Sequence, residues 1–215
     1  MVKRKRQDYN KLMVNFKEEN RLWRKGYKRV AGLDEAGRGP LAALVVAAVV
    51  CVNPKRHKAL KTKMAGIKDS KKLSPKKREE FYQLITKSPA IKWGIGRASE
   101  KVIDRINILE ATKLAMNRAV KNLKKKPDFL ILDGKMELDL PISQKSIVKA
   151  DEKVFSCQAA SIIAKVRRDR LMRRYHKRYP QYGFDRHKGY PTKHHRKMLK
   201  KYGSCKIHRK SFRLE

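Results

Sequence analysis

Hydrophobic positions fall into two kinds of block: short, nearly unbroken apolar runs, and longer stretches with apolar side chains three or four apart. Residues 30–35 and 41–52 are of the first kind, the second rich in Val and Ala, and predict two buried strands. Pro40 between them suits a strand edge or a bulge. Residues 91–98 place Ile91, Trp93 and Ile95 on one face and predict a third strand, completing an antiparallel meander. Residues 128–134 and 146–151 read as strands that follow helices, which predicts parallel pairing and a mixed sheet. Ser74-Pro75 is an N-cap followed by a proline at the first helical position, so a helix starts there, with Phe81, Leu84 and Ile85 as its apolar face. Pro89 ends it. Residues 99–106 predict a short helix. Asn107 opens a longer one, apolar at Ile108, Leu109, Leu114, Ala115, Ala119 and Leu123, which runs out in Lys124-Lys125-Lys126 and closes at Pro127. Residues 154–179 predict a long helix with a small, apolar start (Ala159, Ala160, Ile162, Ile163, Ala164). Its end is a cationic rod of Lys165, Arg167, Arg168, Arg170, Arg173, Arg174, Lys177 and Arg178, stopped by Pro180. Residues 181–191 read as a glycine- and aromatic-bearing loop. Thr192 begins a last basic helix that Tyr202-Gly203 ends. The expected class is α/β: a mixed central sheet with helices on both faces, plus a basic helical C-terminal region.

Charge changes this picture most. The 215 residues carry 57 Lys+Arg against 20 Asp+Glu, a formal +37. Such a field makes polyanions the expected partner, through counterion release at phosphates. Basic residues crowd both ends: residues 1–29 hold 11 Lys+Arg and 3 acids, and residues 163–215 hold 19 and 3. Residues 1–28 are expected to be a basic N-terminal extension, with a helix over 8–23 or a partly disordered arm lying on phosphate. Residues 29–215 are expected to form one domain, long enough for a proper core. No stretch approaches the roughly 20 apolar residues of a membrane span. Cys51, Cys157 and Cys205 are scattered, with no Cys-x-x-Cys pair and no zinc spacing, which suits a reducing cytoplasm. Cys51 and Cys157 sit in apolar runs and read as core.

Against that charge the acids stand out. Three expected strands end in carboxylates: Asp34-Glu35, Asp133 and Asp151. In a sheet covered by helices, ligands bind at the strand ends. Carboxylates gathered there lose hydration and repel one another unless a cation compensates. Oxygen-only donors favour Mg²⁺ or Mn²⁺, and two such ions roughly 3.5–4 Å apart suit in-line phosphodiester hydrolysis. Taken singly, each acid could equally cap a turn, Asp133-Gly134 especially. Asp34 and Glu35 are neighbours and would point to opposite faces of a regular strand. The turn Ala36-Gly37-Arg38-Gly39 is where the strand could break and bring both to one site.

These segments together resemble type 2 ribonuclease H, the ribonuclease HII family, from about Arg29 to Phe212. The segments are Ala31-Gly32-Leu33-Asp34-Glu35-Ala36-Gly37-Arg38-Gly39-Pro40-Leu41, Asp69-Ser70-Lys71-Lys72-Leu73-Ser74, Asn107-Ile108-Leu109-x-Ala111-Thr112, Leu132-Asp133-Gly134, Lys149-Ala150-Asp151, Ala159-Ala160-Ser161-Ile162-Ile163-Ala164-Lys165-Val166, and Tyr179-Pro180-Gln181-Tyr182-Gly183-Phe184 with His187-Lys188-Gly189-Tyr190-Pro191-Thr192. The resemblance implies an RNase H-like fold and a metal-dependent endonuclease. Its substrates would be RNA–DNA hybrids and DNA duplexes with embedded ribonucleotides, and its cofactor two Mn²⁺ or Mg²⁺ ions. It places the catalytic, metal-holding carboxylates at Asp34, Glu35, Asp133 and Asp151. It places 2′-OH recognition at Gly37, Arg38 and Gly39, and stacking on the sugar 3′ of the ribonucleotide at Tyr190. Lys71, Lys72 and Lys165 are expected at the substrate backbone. Ser161 is expected to pack helix against sheet, with Tyr182 and Phe184 in the core beneath the loop and His187 at the surface. The chain is expected to act in the cytoplasm, as a monomer and away from membranes. A non-catalytic nucleic-acid binder of the same fold is the rival, and a carboxylate cluster in its groove would gain it nothing.

Overall fold

The computed structural model describes residues 14–67, 70 and 72–213. Helix α1 (Lys17–Arg24) precedes strands β1 (Val30–Ala36) and β2 (Val45–Val52). Helices α2 (Lys58–Lys63) and α3 (Pro75–Lys87), strand β3 (Ile91–Ala98) and helix α4 (Glu100–Lys121) follow. Then come β4 (Phe129–Asp133), β5 (Ser143–Ile147), α5 (Ala150–Lys153), α6 (Phe155–Arg178), a 3₁₀ turn (Pro180–Tyr182), α7 (Phe184–His187) and α8 (Lys193–Tyr202). The strands form one sheet in the order β3-β2-β1-β4-β5. β1, β2 and β3 make the antiparallel meander; β4 joins β1, and β5 joins β4, in parallel. The sheet is mixed, as the alternation of strands and helices predicts, and β1 lies at its centre.

Each face of the sheet has its own core. Ala48, Val50 and Val52 pack with Ile85 of α3 and with Phe155, Ile162 and Ile163 of α6. Ala47 and Val49 face the other way, against Ala115, Met116 and Ala119 of α4. The period-two alternation within β2 therefore feeds both cores, and so its sequence reads as an unbroken apolar run. Fully burying each large aliphatic or aromatic side chain contributes about 1.5–3 kcal/mol. Gly32 matters for position: a Cβ there would strike Ser156 and Cys157, so its absence lets the first turn of α6 lie against β1.

The described part of the N-terminal leader folds onto this body. Val14, Phe16, Glu19 and Leu22 are buried. The Glu19 carboxylate accepts from the Ser156 amide (2.8 Å) and hydroxyl (2.9 Å), holding the start of α6 across 137 residues of chain. The stretch of the expected leader helix before residue 14 lies outside the described residues.

Several expectations need correcting. β2 starts at Val45: residues 41–44 leave the ladder, with Ala43 at φ 69° and Ala42 bridged to His208. The fifth strand is Ser143–Ile147, so Asp151 does not end a strand. Lys149 turns left-handed (φ 59°) and Asp151 sits in the short helix α5. Leu84 is exposed, and Tyr82 takes its place in the core beside Phe81 and Ile85. Arg168 is no part of a solvated rod but is buried. The connection from β2 to α3 contains α2, and the loop expected over 181–191 holds a 3₁₀ turn and α7. Ser74, Asn107 and Thr192 cap helices as expected. Asn107 breaks α4 at φ 63° and its Oδ1 accepts the Leu109 and Glu110 amides.

Candidate active site

Three carboxylates meet at the sheet centre. Asp34, Asp133 and Asp151 each bring an oxygen to within 4.8 Å of the others. Asp34 and Asp133 come from the C-terminal ends of the adjacent parallel strands β1 and β4. Asp151 arrives by a different device. Asp133 Oδ1 accepts from the Ala150 amide at 2.6 Å, and that bond fixes the first turn of α5 so that the next side chain joins the cluster. The anchoring acid thus orients its neighbour.

Asp34, like Asp151, is buried. Burial, then the charges of Glu35 and Asp133, push its carboxyl well above the usual carboxylate range. The groups opposing that shift are neutral donors: the Glu35 amide, bonded to Asp34 Oδ1 at 2.7 Å, and the Ser161 hydroxyl. An anionic Asp34 at this position calls for a cation. A set of carboxylate oxygens, with no thiolate or imidazole among them, suits a hard divalent ion such as Mg²⁺ or Mn²⁺. The thiols supply no rival chemistry. Cys51, pushed up to about 11, and Cys157, raised well above the ordinary thiol value, are both held from ionising chiefly by burial.

Glu35 lies beside this trio but outside it. Its Oε1 pairs with Arg38 Nη1 at 3.3 Å. It lines a cleft of about 630 Å³ together with Gly37, Arg38, Gly39, Ser161, Lys165 and Tyr190. The break anticipated after Glu35 is present: β1 ends at Ala36 and Gly37 takes φ +103°. A Cβ on Gly37 would overlap the Arg168 guanidinium, so both conformation and space demand glycine there. Gly39 lies against Tyr190, whose ring a Cβ would meet at 3.6 Å. Tyr190 is 42 % exposed and open to a ligand.

The expected backbone-binding lysines separate. Lys165 lines the cleft, with its ammonium on Asp169 Oδ1 at 2.9 Å. Lys72 is exposed and pairs with Glu152, next to Asp151 in sequence, at 2.8 Å. Lys71 lies outside the described residues. Ser161 does more than pack: its hydroxyl is also hydrogen-bonded to the Ser70 hydroxyl (2.7 Å between oxygens), and both line the cleft. Arg78, one basic residue of many along the chain and not singled out by any motif, also lines it. Its guanidinium donates to the Ser70 (2.7 Å) and Leu73 (2.8 Å) carbonyls and lies 3.6 Å from Asp169.

Two buried arginines hold the cleft wall. Arg168 donates to the carbonyls of Leu44 (3.2 Å), Ala42 (3.2 Å) and Lys188 (3.0 Å). Arg209 donates to those of Ala43 (2.8 Å), Arg38 (2.8 Å) and Gly37 (2.5 Å). Burial lowers them to about 10 and about 9, so both stay charged near neutrality. In the sequence they are two cations among many; only the Gly37–Leu44 carbonyls turning inward distinguish them. Tyr182 and Phe184 are buried as expected, while His187 is half-buried beneath the loop. Its ring stacks on His195.

The family model described as Ribonuclease HII matches residues 31–215. A curated Ribonuclease HII from Chlamydia trachomatis serovar A is 50% identical over 194 residues, covering 90% of this chain and 86% of the relative. Among solved structures, the ribonuclease H2 from Pyrococcus horikoshii OT3 superposes with TM-score 0.69 at 31% identity, over 86% of this chain and 94% of that one. The RNase HII in a PCNA:RNase HII complex from Archaeoglobus fulgidus gives TM-score 0.70 at 28% identity, over 87% and 96%.

Proposed function

Because the chain belongs to the ribonuclease HII family and is an endoribonuclease acting on RNA–DNA hybrids, we propose that it also incises DNA duplexes 5′ of embedded ribonucleotides. The products are 3′-OH and 5′-phosphate ends. The observation that carries this reading is the adjacency of two dissimilar parts: the Asp34–Asp133–Asp151 cluster and the cleft formed by Gly37, Arg38, Gly39 and Tyr190.

Asp34, Asp133 and Asp151, with Glu35 beside them, would hold two divalent ions, Mn²⁺ or Mg²⁺. Bound there, such ions supply a hydroxide nucleophile from water and charge stabilisation for the leaving 3′-oxygen. The chain's own residues position the substrate. The backbone of Gly37-Arg38-Gly39 offers hydrogen-bonding groups to a 2′-OH, the group that separates RNA from DNA. Gly37 and Gly39 keep side chains out of that approach. Arg38, released from Glu35, grips the adjacent phosphate. Tyr190 packs on the deoxyribose that follows, so turn and ring together read an RNA–DNA junction. Lys72 and Lys165 contact the strand's phosphates, and the basic field supplies sequence-independent affinity. No thiol is poised to attack, and the reaction proceeds without a covalent enzyme intermediate. Among the described residues, no helix is long and apolar enough to cross a membrane.

The test is cleavage of a labelled duplex with one ribonucleotide, beside an all-DNA duplex, in Mn²⁺, Mg²⁺ or chelator. The expected result is metal-dependent incision on the 5′ side of the ribonucleotide with the all-DNA duplex intact. Binding without incision under either metal would overturn the reading in favour of a pure binder.

A further inference from the structure

The cleft wall is assembled from pieces far apart in the chain, and one short segment touches nearly all of them. Residues 205–209 run alongside residues 41–43. Ala43 N donates to the Ile207 carbonyl (2.7 Å), and Arg209 N donates to the Leu41 carbonyl (2.9 Å). From there two adjacent side chains support different parts of the cleft wall. Arg209 closes on Gly37 and Arg38, as described above. His208 turns the other way.

The hydrogen bonds of His208 fix its tautomer. The Cys205 amide donates to His208 Nδ1 at 2.9 Å, so the proton of the neutral ring is on Nε2. His208 Nε2 faces His195 Nε2 at 3.1 Å, which must therefore accept. His195 Nδ1 then carries the remaining proton and donates to the Tyr190 carbonyl at 2.9 Å. The chain from Cys205 to Tyr190 is consistent only with both rings neutral, and burial keeps them so, at about 4 each. His187 flanks this chain, stacked on His195 with centroids 4.5 Å apart. It takes the Gly189 amide on Nδ1 (3.1 Å) and bonds the Tyr182 carbonyl through Nε2 (2.6 Å).

We propose that His208 and Arg209 are positioning residues that set the spacing between the Gly37-Arg38-Gly39 turn and Tyr190, and with it the preference for a ribonucleotide followed by a deoxyribose. The proposal rests on the reading that turn and ring recognise successive sugars. Neither residue touches substrate. Arg209 holds the turn's carbonyls inward and so leaves the opposite edge of the turn for the substrate. His208, through His195, holds the Tyr190 backbone. Because the two are consecutive, the turn and the ring share one anchor and cannot drift independently. A misplacement of about 1 Å in such a constellation is enough to cost up to about 100-fold in rate.

The experiment compares two substrates, a duplex with one embedded ribonucleotide and a continuous RNA strand on DNA, in Arg209→Lys and His208→Asn. The lysine keeps the charge but cannot span three carbonyls. The asparagine can still accept the Cys205 amide but cannot reach His195. Each variant is expected to lower the ratio of kcat/KM for the embedded ribonucleotide over the hybrid by about tenfold. The loss should fall on kcat, with KM within about threefold and the Mn²⁺ dependence unchanged, since neither residue contacts the carboxylates. An equal fall on both substrates, or no fall, overturns the proposal. Should the variants not fold, ¹⁵N-histidine spectra of the unaltered protein decide. His195 and His208 signals should shift when the single-ribonucleotide duplex binds in EDTA and not when all-DNA duplex binds; no difference overturns the proposal. If the unaltered protein does not discriminate the ribonucleotide at all, it is the functional reading that has failed.

Discussion

The acid cluster and the arginine–histidine clasp both adjoin residues of one cleft, the first through Glu35 and the second through Gly37, Arg38 and Tyr190, and they handle buried polarity in opposite ways. Asp34 is buried beside the charges of Glu35 and Asp133, and the Glu35 amide and the Ser161 hydroxyl donate to it. Arg168 and Arg209 are equally buried, yet each directs its guanidinium donors to three carbonyls. His195 and His208 form a hydrogen-bonded chain in which every ring nitrogen has a partner. One region is left in conflict until a cation arrives; the other is complete before any ligand comes. The difference matches their proposed tasks, since a metal site gains from unrelieved charge and a template gains from rigidity.

The comparison is broken most severely by removing an acid. Asp133→Asn should lower cleavage by about 1,000-fold or more, several kcal/mol of lost transition-state stabilisation, while duplex binding is kept or strengthened. Gel-shift and single-turnover assays on one preparation check both halves. Survival of cleavage would mean that the carboxylates are not the catalytic centre.

A divalent ion should act on one side only. At 100 times its Kd, Mn²⁺ should stabilise the protein by about 2.7 kcal/mol, read as a raised Tm that EDTA reverses. Asp34→Asn should lose most of that rise and should itself be no less stable than the parent without metal. A full Mn²⁺ response in Asp34→Asn would remove Asp34 from the site.

Gly37→Ala tests the template side. The methyl would overlap Arg168 and require φ +103° of an L-residue, at a cost of roughly 1–3 kcal/mol. A lower urea midpoint and reduced cleavage of the single-ribonucleotide duplex are expected. An unchanged midpoint would show that the wall is not close-packed.

The smallest effect is the one with opposite signs. His195 and His208, held at about 4 against an ordinary value near 6.5, stay neutral while the unfolded chain takes up protons. Their contribution is full above about pH 6.5 and is lost towards pH 4, at no more than about 1.4 kcal/mol per pH unit each. Asp34 is raised instead, so the native state keeps a proton that the unfolded chain has released. Metal-free stability at that carboxyl therefore falls as pH rises above the ordinary value near 3.8. Urea midpoints from pH 4 to 7, with and without His195→Leu and Asp34→Asn, separate the two. Parallel pH profiles for both variants would deny the contrast.

How much was legible in the sequence depends on how local the signal was. The apolar runs, the caps at Ser74, Asn107 and Thr192, and the order of strands and helices were legible, because hydrophobic period and cap chemistry act within a few residues. So were Asp34, Glu35 and Asp133, since a strand running into an acid or a turn is a contiguous pattern. Asp151 was found through the wrong element. A strand was expected to carry it, whereas a left-handed Lys149 and the bond from Ala150 to Asp133 put it on a helical turn. Arg168 and Arg209 were invisible among 57 Lys+Arg, because composition does not mark which cation is buried. The sequence by itself determined the elements, the class of sheet and the acids of the candidate site. Only the tertiary structure decided which cations face inward, which histidines bond to one another and how Gly39 meets Tyr190. Those properties come from contacts between separate elements, from 13 positions apart for His195 and His208 to 172 for Gly37 and Arg209, whose partners no local pattern encodes.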